Sequence, residues 1–218
     1  MNQIKTELIV SEDGSHTLYV PELDEHYHSV HGAIRESEHV YIKAGLLHIN
    51  RPTVNILEIG FGTGLNALLT RVHAHDKHIR YQTVEKYPIN NHLAEKINYG
   101  TTLGQPEFFK ALHASDWNQW QPLTPNFELL KWEGDFRDLT PQAPIDLVYF
   151  DAFGPDKHPD LWCNEVFNKI NQLMTPGATL VTYCAKGSVR RMLNTCDFET
   201  ERLPGPPHKR EMLRATKK

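Results

Sequence analysis

Cysteine is scarce in this chain of 218 residues: Cys163, Cys184 and Cys196 are odd in number and never sit two apart. That pattern excludes a disulfide framework and a zinc knuckle, and leaves buried or free thiols. Apolar runs are short as well. None approaches the roughly 20 residues a membrane-spanning helix needs, and residues 1–7 lack the charged-then-apolar start of a secretory leader, so no membrane partner and a cytoplasmic location are expected. Internal repeats and low-complexity tracts are missing. What is present, 39% hydrophobic, 10% aromatic and 23% charged residues, is enough to build an ordinary folded core.

The net charge of -4 conceals an asymmetry. Residues 1–40 carry two basic against eight acidic side chains, whereas residues 184–218 carry nine basic against four acidic. The basic end suits a polyanionic partner. Alternating apolarity on either side of an Asp13-Gly14 turn predicts an N-terminal hairpin over 6–10 and 16–20, and a helix follows over 38–49. From residue 51 the pattern changes to short apolar runs alternating with helical segments. Strands are expected over 54–59, 81–85, 127–132, 145–150 and 178–184, and helices over 64–74, 89–98, 107–120, 161–174 and 188–195. This rhythm predicts an α/β fold with a Rossmann-like, mostly parallel, doubly wound sheet. Two closing strands, 198–203 and 208–213, are joined by Pro204-Gly205-Pro206-Pro207 with no helix between them, so they must pair antiparallel. The expected organisation is an extension over 1–50 and a Rossmann-like domain over 51–218.

The strongest local signal joins the first strand of the alternating region to its first helix: Glu58-Ile59-Gly60-Phe61-Gly62-Thr63-Gly64-Leu65-Asn66. Gly60, Gly62 and Gly64 remove side chains where the chain turns and where a ligand approaches the backbone. Glu85, ending the next strand, is placed to accept hydrogen bonds from both hydroxyls of a ribose. The glycine spacing departs from the Gly-x-Gly-x-x-Gly of nicotinamide sites. Glu58 favours the ammonium and sulfonium of S-adenosylmethionine over a pyrophosphate, which it would repel. Asp135, after the third strand, is a candidate acceptor for the adenine amino group.

The strand over 145–150 delivers Asp151-Ala152-Phe153-Gly154-Pro155 to the carboxyl edge of the sheet, where open α/β sheets hold their ligands. Methylation of an amine needs a neutral nitrogen lone pair in line with the S-methyl bond, acceptors to orient the N–H groups, and exclusion of water. Asp151 supplies an acceptor, and Phe153 can stack on a base. A doubly wound sheet ending in an antiparallel hairpin resembles the S-adenosylmethionine-dependent methyltransferase fold. The glycine loop, together with Asp151-Ala152-Phe153-Gly154-Pro155-Asp156-Lys157-His158-Pro159-Asp160-Leu161-Trp162, Ala185-Lys186-Gly187-Ser188-Val189-Arg190-Arg191 and His208-Lys209-Arg210-Glu211-Met212-Leu213, resembles the MnmC-type methyltransferase domain over nearly the whole chain.

That resemblance implies transfer of a methyl group from S-adenosylmethionine to the primary amine of 5-aminomethyl(-2-thio)uridine in the wobble position of tRNA. It implies Asp151 as the residue that orients the amine or accepts its proton, Glu85 as the ribose ligand, and Glu58, Gly60, Gly62, Gly64, Asn66 and Asp135 as the remainder of the cofactor site. Bifunctional members of the family continue into a flavin-dependent oxidoreductase, and this chain, ending at Lys218, resembles the standalone form. The implied partner is the anticodon loop. Lys209 and Arg210 are candidates for its phosphates, and Tyr27, Phe153 and Pro155 for holding the unstacked base. An aminopropyltransferase of the polyamine synthase type combines a similar loop and Asp, but a basic C-terminal region would repel a polyamine. Thirteen histidines do not make a metal centre: those at 73–78 read as a solvated loop, one of those at 26–31 is a candidate to face the substrate, and no metal is expected. Trp117 and Trp120 read as packing residues on a helix.

Overall fold

A computed structural model describes residues 5–140 and 144–218. The first four residues, part of the segment lacking a leader pattern, lie outside the described residues. Strands β1 (Glu7–Val10) and β2 (His16–Val20) form the expected antiparallel hairpin, and a two-residue β3 (Glu25–His26) pairs with β2. Helical structure then starts earlier than expected. Helix α1 (Ala33–Ser37) runs directly into a π-helical turn over Glu38–Lys43 and is followed by a 3₁₀ turn over Leu46–His48.

The remaining elements are β4 (Thr53–Ile59), α2 (Leu65–His73), β5 (His78–Glu85), α3 (Asn91–Ala94), α4 (Tyr99–Thr102), α5 (Pro106–Ala114), β6 (Trp120–Thr124), β7 (Phe127–Glu133), β8 (Ile145–Phe150), α6 (Asn164–Leu173), β9 (Met174–Thr182), α7 (Gly187–Thr195), β10 (Phe198–Pro204) and β11 (Glu211–Lys217). They build one eight-stranded sheet in the order β10-β11-β9-β8-β4-β5-β7-β6. The five strands from β9 to β7 are parallel, and β10, β11 and β6 are antiparallel.

Three expectations are corrected. The helix over 107–120 ends at Ala114, and Trp120 opens edge strand β6 instead. The helix over 89–98 shrinks to α3, with α4 following beyond it. The last strand begins at Glu211, so Lys209 and Arg210 lie in the loop before it.

Fully buried β8 reads as an unbroken apolar run apart from Asp146, as a strand covered on both faces must. Asp146 is held by Arg51 Nη1 at 2.5 Å and by the backbone N–H of Asn55 at 2.9 Å. One buried cluster packs Leu65, Leu68 and Leu69 of α2 with Phe108, Phe109 and Leu112 of α5 against the sheet, and Leu18, Val40, Tyr41 and Leu46 from the first fifty residues belong to the same cluster. A second sets Val166, Phe167 and Ile170 of α6 and Val189 and Leu193 of α7 on the sheet. The chain leaves β4 toward β5 on one side while β8 lies on its other side, so a crevice opens beyond the carboxyl ends of β4 and β8.

Candidate active site

The loops leaving β4 and β8 are tied at their roots. Gly60 N–H donates to the Val84 carbonyl and Asp151 N–H to the Ile59 carbonyl, each at 3.0 Å. Gly60 has φ +94°, and a Cβ there would come within 2.9 Å of the Asp151 carbonyl oxygen. Gly62 has φ +51°, and a Cβ there would meet the Tyr27 ring at 2.9 Å. Both positions therefore admit only glycine without strain. Gly62→Ala is expected to push Tyr27 aside and weaken cofactor binding about tenfold, a cost of about 1–2 kcal/mol, measured by calorimetric titration.

The crevice is a cavity of about 510 Å³ lined by Gly60, Gly62, Glu85, Asp135, Asp151, Phe153, Tyr27 and Lys209 among the expected residues. Glu85 is fixed as an acceptor on its rim: Oε2 takes the Gly62 N–H at 3.0 Å and Oε1 the Tyr87 N–H at 2.9 Å. Asp135 accepts from Arg137 Nε at 2.8 Å and Nη2 at 2.7 Å and from Lys86 Nζ at 3.1 Å. Those cations, Arg137 first, hold its carboxyl well below the usual range. Tyr27 and Phe153 meet edge to face with ring centroids 5.2 Å apart, and Trp162 Nε1–H anchors the Phe153 carbonyl at 2.7 Å.

Asp151 forms the floor. Tyr41 Oη donates to its Oδ1 at 2.5 Å and Asn66 Nδ2 to its Oδ2 at 2.7 Å. Burial nevertheless pushes its pKa up to about 7, against the pull of these two donors, with Glu36 raising it further and Lys209 lowering it. Glu58 takes a different place from the one expected. It is fully buried on β4 and stands behind the cavity wall, where Asn66 Nδ2 reaches its Oε1 at 3.0 Å. It is not among the residues that line the cavity, so the structure brings it to Asn66 rather than to the crevice surface. Burial, then the Asp151 charge, pushes its pKa up to about 8. Gly64, Asn66, Pro155 and Arg210 also lie outside the lining. Gly64 is the N-cap residue of α2, and Asn66 bridges the two carboxyls.

Of the histidines, His26, His28 and His158 line the cavity. His28 Nε2 lies 2.7 Å from Thr63 Oγ1, and burial brings its pKa down to about 4, so the ring is neutral. Away from the cavity, Glu12, His31 and His208 bring donor atoms within 4.8 Å of one another. Sequence reasoning missed Glu36, Tyr41 and Tyr183. Tyr41 meets Asp151 from 110 positions away, and only the fold brings them together.

The glycine-walled crevice, with an acceptor carboxylate at the end of β5, fits an adenosyl group bearing an amino acid: Gly60 and Gly62 line it, and a Cβ on either would crowd the Asp151 carbonyl or the Tyr27 ring that line it too. Comparisons agree with this fit. A profile of the S-adenosyl-L-methionine-dependent methyltransferase family matches residues 110–218. The bifunctional tRNA 5-methylaminomethyl-2-thiouridine biosynthesis protein MnmC of Cupriavidus metallidurans is 32% identical over 94% of this chain, and that of Paraburkholderia xenovorans 29% over 90%. The chain spans about a third of the length of these relatives, 33% of each. MnmC2 from Aquifex aeolicus superposes on the whole chain with a TM-score of 0.82 at 25% identity, covering 71% of that protein. Spermidine synthase from Thermotoga maritima, at 11% identity and a TM-score of 0.63 over all of this chain and 71% of its own, shares the fold. The chain belongs to the S-adenosyl-L-methionine-dependent methyltransferase family.

Proposed function

We propose that this protein methylates the primary amine of 5-aminomethyl(-2-thio)uridine at the wobble position of tRNA, giving 5-methylaminomethyl(-2-thio)uridine in the cytoplasm. The observation that carries the reading is Asp151: a carboxyl at the floor of the crevice, between two side-chain donors, with its pKa lifted to about 7. The relatives' part in tRNA 5-methylaminomethyl-2-thiouridine biosynthesis supports the choice of substrate. When bound, S-adenosylmethionine supplies an electrophilic methyl group. Gly60 and Gly62 would let it approach the backbone, Glu85 would accept from its ribose hydroxyls, and Asp135 is the candidate acceptor for its adenine amino group.

The amine arrives protonated and must lose a proton before its lone pair is free. An ordinary carboxylate at pKa ~3.9 facing an alkylammonium at ~10.4 makes that transfer uphill by about 9 kcal/mol. Raising Asp151 to about 7 cuts the climb to about 5 kcal/mol. Tyr41 and Asn66 fix the carboxyl so that one oxygen faces the amine in a constant orientation. Tyr27 and Phe153 offer ring surface to the unstacked base and close the crevice against water. Arg210 in the loop before β11 is the candidate for an anticodon-loop phosphate.

The test is methyl transfer from labelled S-adenosylmethionine to tRNA bearing 5-aminomethyluridine, read by nucleoside mass spectrometry, with putrescine and decarboxylated cofactor in parallel. A methyl increment on the wobble uridine supports the proposal. A protein that binds cofactor but leaves that uridine unchanged overturns it. Glu85→Ala is expected to weaken cofactor binding by about 10- to 100-fold, the loss of a charge-assisted hydrogen bond to ligand and of the Gly62 anchor. Equal cofactor affinity in wild type and variant by calorimetry would remove Glu85 from the ribose site.

A further inference from the structure

Glu36 is a carboxylate, 8% exposed, that faces the same cavity and that the chemistry above leaves unused. Its Oε2 accepts from the Ser29 N–H at 2.9 Å, and its Oε1 is ion-paired with Lys209 Nζ. The same ammonium stands 4.7 Å from the centroid of the Tyr183 ring. That ring is held in place because Tyr183 Oη donates to the Ala152 carbonyl at 2.9 Å. A recessed carboxylate beside an aromatic face is the chemistry that recognises an alkylammonium. The lysine side chain in it is itself a primary ammonium on a methylene, the group that the proposed acceptor carries.

Both charges reach the reacting carboxyl, Glu36 pushing the Asp151 pKa up and Lys209 pulling it down. One cation replacing another beside Glu36 would leave that balance unchanged. Lys209 is also suited to leave. It belongs to the loop between β10 and β11, and its side chain is 37% exposed, whereas the Glu36 side chain is 11% exposed. A buried carboxylate without a counter-ion is costly, so Lys209 serves as the resident cation until a substrate cation takes its place.

We propose that Glu36 and the Tyr183 ring form the subsite for the acceptor's primary ammonium, and that Lys209 is an internal stand-in displaced when the acceptor binds. The proposal rests on the amine-methylation reading and names the residues that select an amine. Lys209 then has a role other than the phosphate contact expected from the sequence, because in the free protein its charge is turned into the cavity.

The experiment uses Glu36→Gln, Lys209→Met and the double variant, each checked by thermal melting and cofactor titration. Propylammonium chloride is titrated into each protein by ligand-observed NMR. Lys209→Met is expected to bind it at millimolar concentration, about tenfold more tightly than wild type, and the double variant is expected to lose that gain. Glu36→Gln is expected to raise KM for an anticodon stem-loop carrying 5-aminomethyluridine about tenfold, with cofactor affinity unchanged. Equal propylammonium binding by wild type and Lys209→Met overturns the proposal, as does binding that survives in the double variant or an unchanged KM in Glu36→Gln. If Glu36→Gln does not fold, the contrast between wild type and Lys209→Met decides. The amine titration needs no turnover. Glu36-dependent amine binding in a protein that leaves the RNA unmethylated would therefore sink the tRNA reading and keep the subsite.

Discussion

Asp151→Asn is expected to lower kcat for methyl transfer by about 1,000-fold, within the 10²–10⁴ range of a lost general base, while cofactor affinity changes by less than about twofold. The division follows from geometry. Both Asp151 oxygens are committed to Tyr41 and Asn66 at the crevice floor, whereas Gly60, Gly62 and Glu85 form the wall on which the cofactor is expected to lie. Asparagine retains the volume and one acceptor but takes up no proton, and it turns an N–H₂ toward a neighbouring donor. The pH profile gives an independent check. With a pKa near 7, the wild-type carboxylate is ionised above that value and protonated below it, so the rate should climb as pH rises through about 7. That limb should vanish in the variant. A limb that persists in Asp151→Asn would assign the proton to another group, and a parallel loss of cofactor affinity would place Asp151 in the cofactor site.

The parts of this site that could be read in advance are those encoded within a few residues. The glycine loop sits between an apolar strand and a helix, and its backbone demands, φ +94° at Gly60 and +51° at Gly62, are local requirements that only glycine meets cheaply. Strand β8 is legible to the residue because a run buried on both faces is bounded at one end by the polar turn it feeds. Edge strand β6 was hidden: Pro122 and the preceding helical spacing disguise it, and an edge position tolerates a proline that a central strand would reject. Trp117, expected on that helix, instead bridges to Lys131, whose ammonium stands 4.8 Å from its ring. The start of β11 is not legible because 208–213 carries strand-like residues while the loop closes tightly at Gly205, where a Cβ would collide with the Lys209 carbonyl oxygen. Partners of Asp151 and Glu36 were invisible for a different reason. Tyr41 and Asp151 are 110 positions apart, and Glu36 and Lys209 are 173 apart, so no spacing rule connects them.

Glu58→Gln is expected to stabilise the protein at pH 8 and to do little at pH 4. In the native state burial, with the Asp151 charge next, raises the Glu58 pKa from 4.5 to about 8. A group whose folded pKa lies above its unfolded value binds more protons in the folded state between the two. Stability from that group is therefore present below about 4.5 and is lost as pH rises toward 8. A shift of this size corresponds to an upper bound of about 4–5 kcal/mol, and water penetration and relaxation reduce it to about 2–3 kcal/mol. Among the described residues Glu58 Oε2, Tyr81 Oη and Thr83 Oγ1 have no hydrogen-bond partner, although the two hydroxyls lie close enough to oppose the rise in pKa. Glutamine keeps the acceptor that Asn66 uses and puts a neutral donor where the unpartnered Oε2 was. At about 2–4 °C per kcal/mol for a chain of this size, the melting temperature at pH 8 should rise by about 5–10 °C, and the fall in wild-type stability between pH 5 and pH 8 should flatten. Paired melts of both proteins across that range decide it. A variant that melts lower than wild type at pH 8 would mean that Glu58 is ionised and well solvated in the fold, and its buried place behind Asn66 and Asp151 would need another explanation.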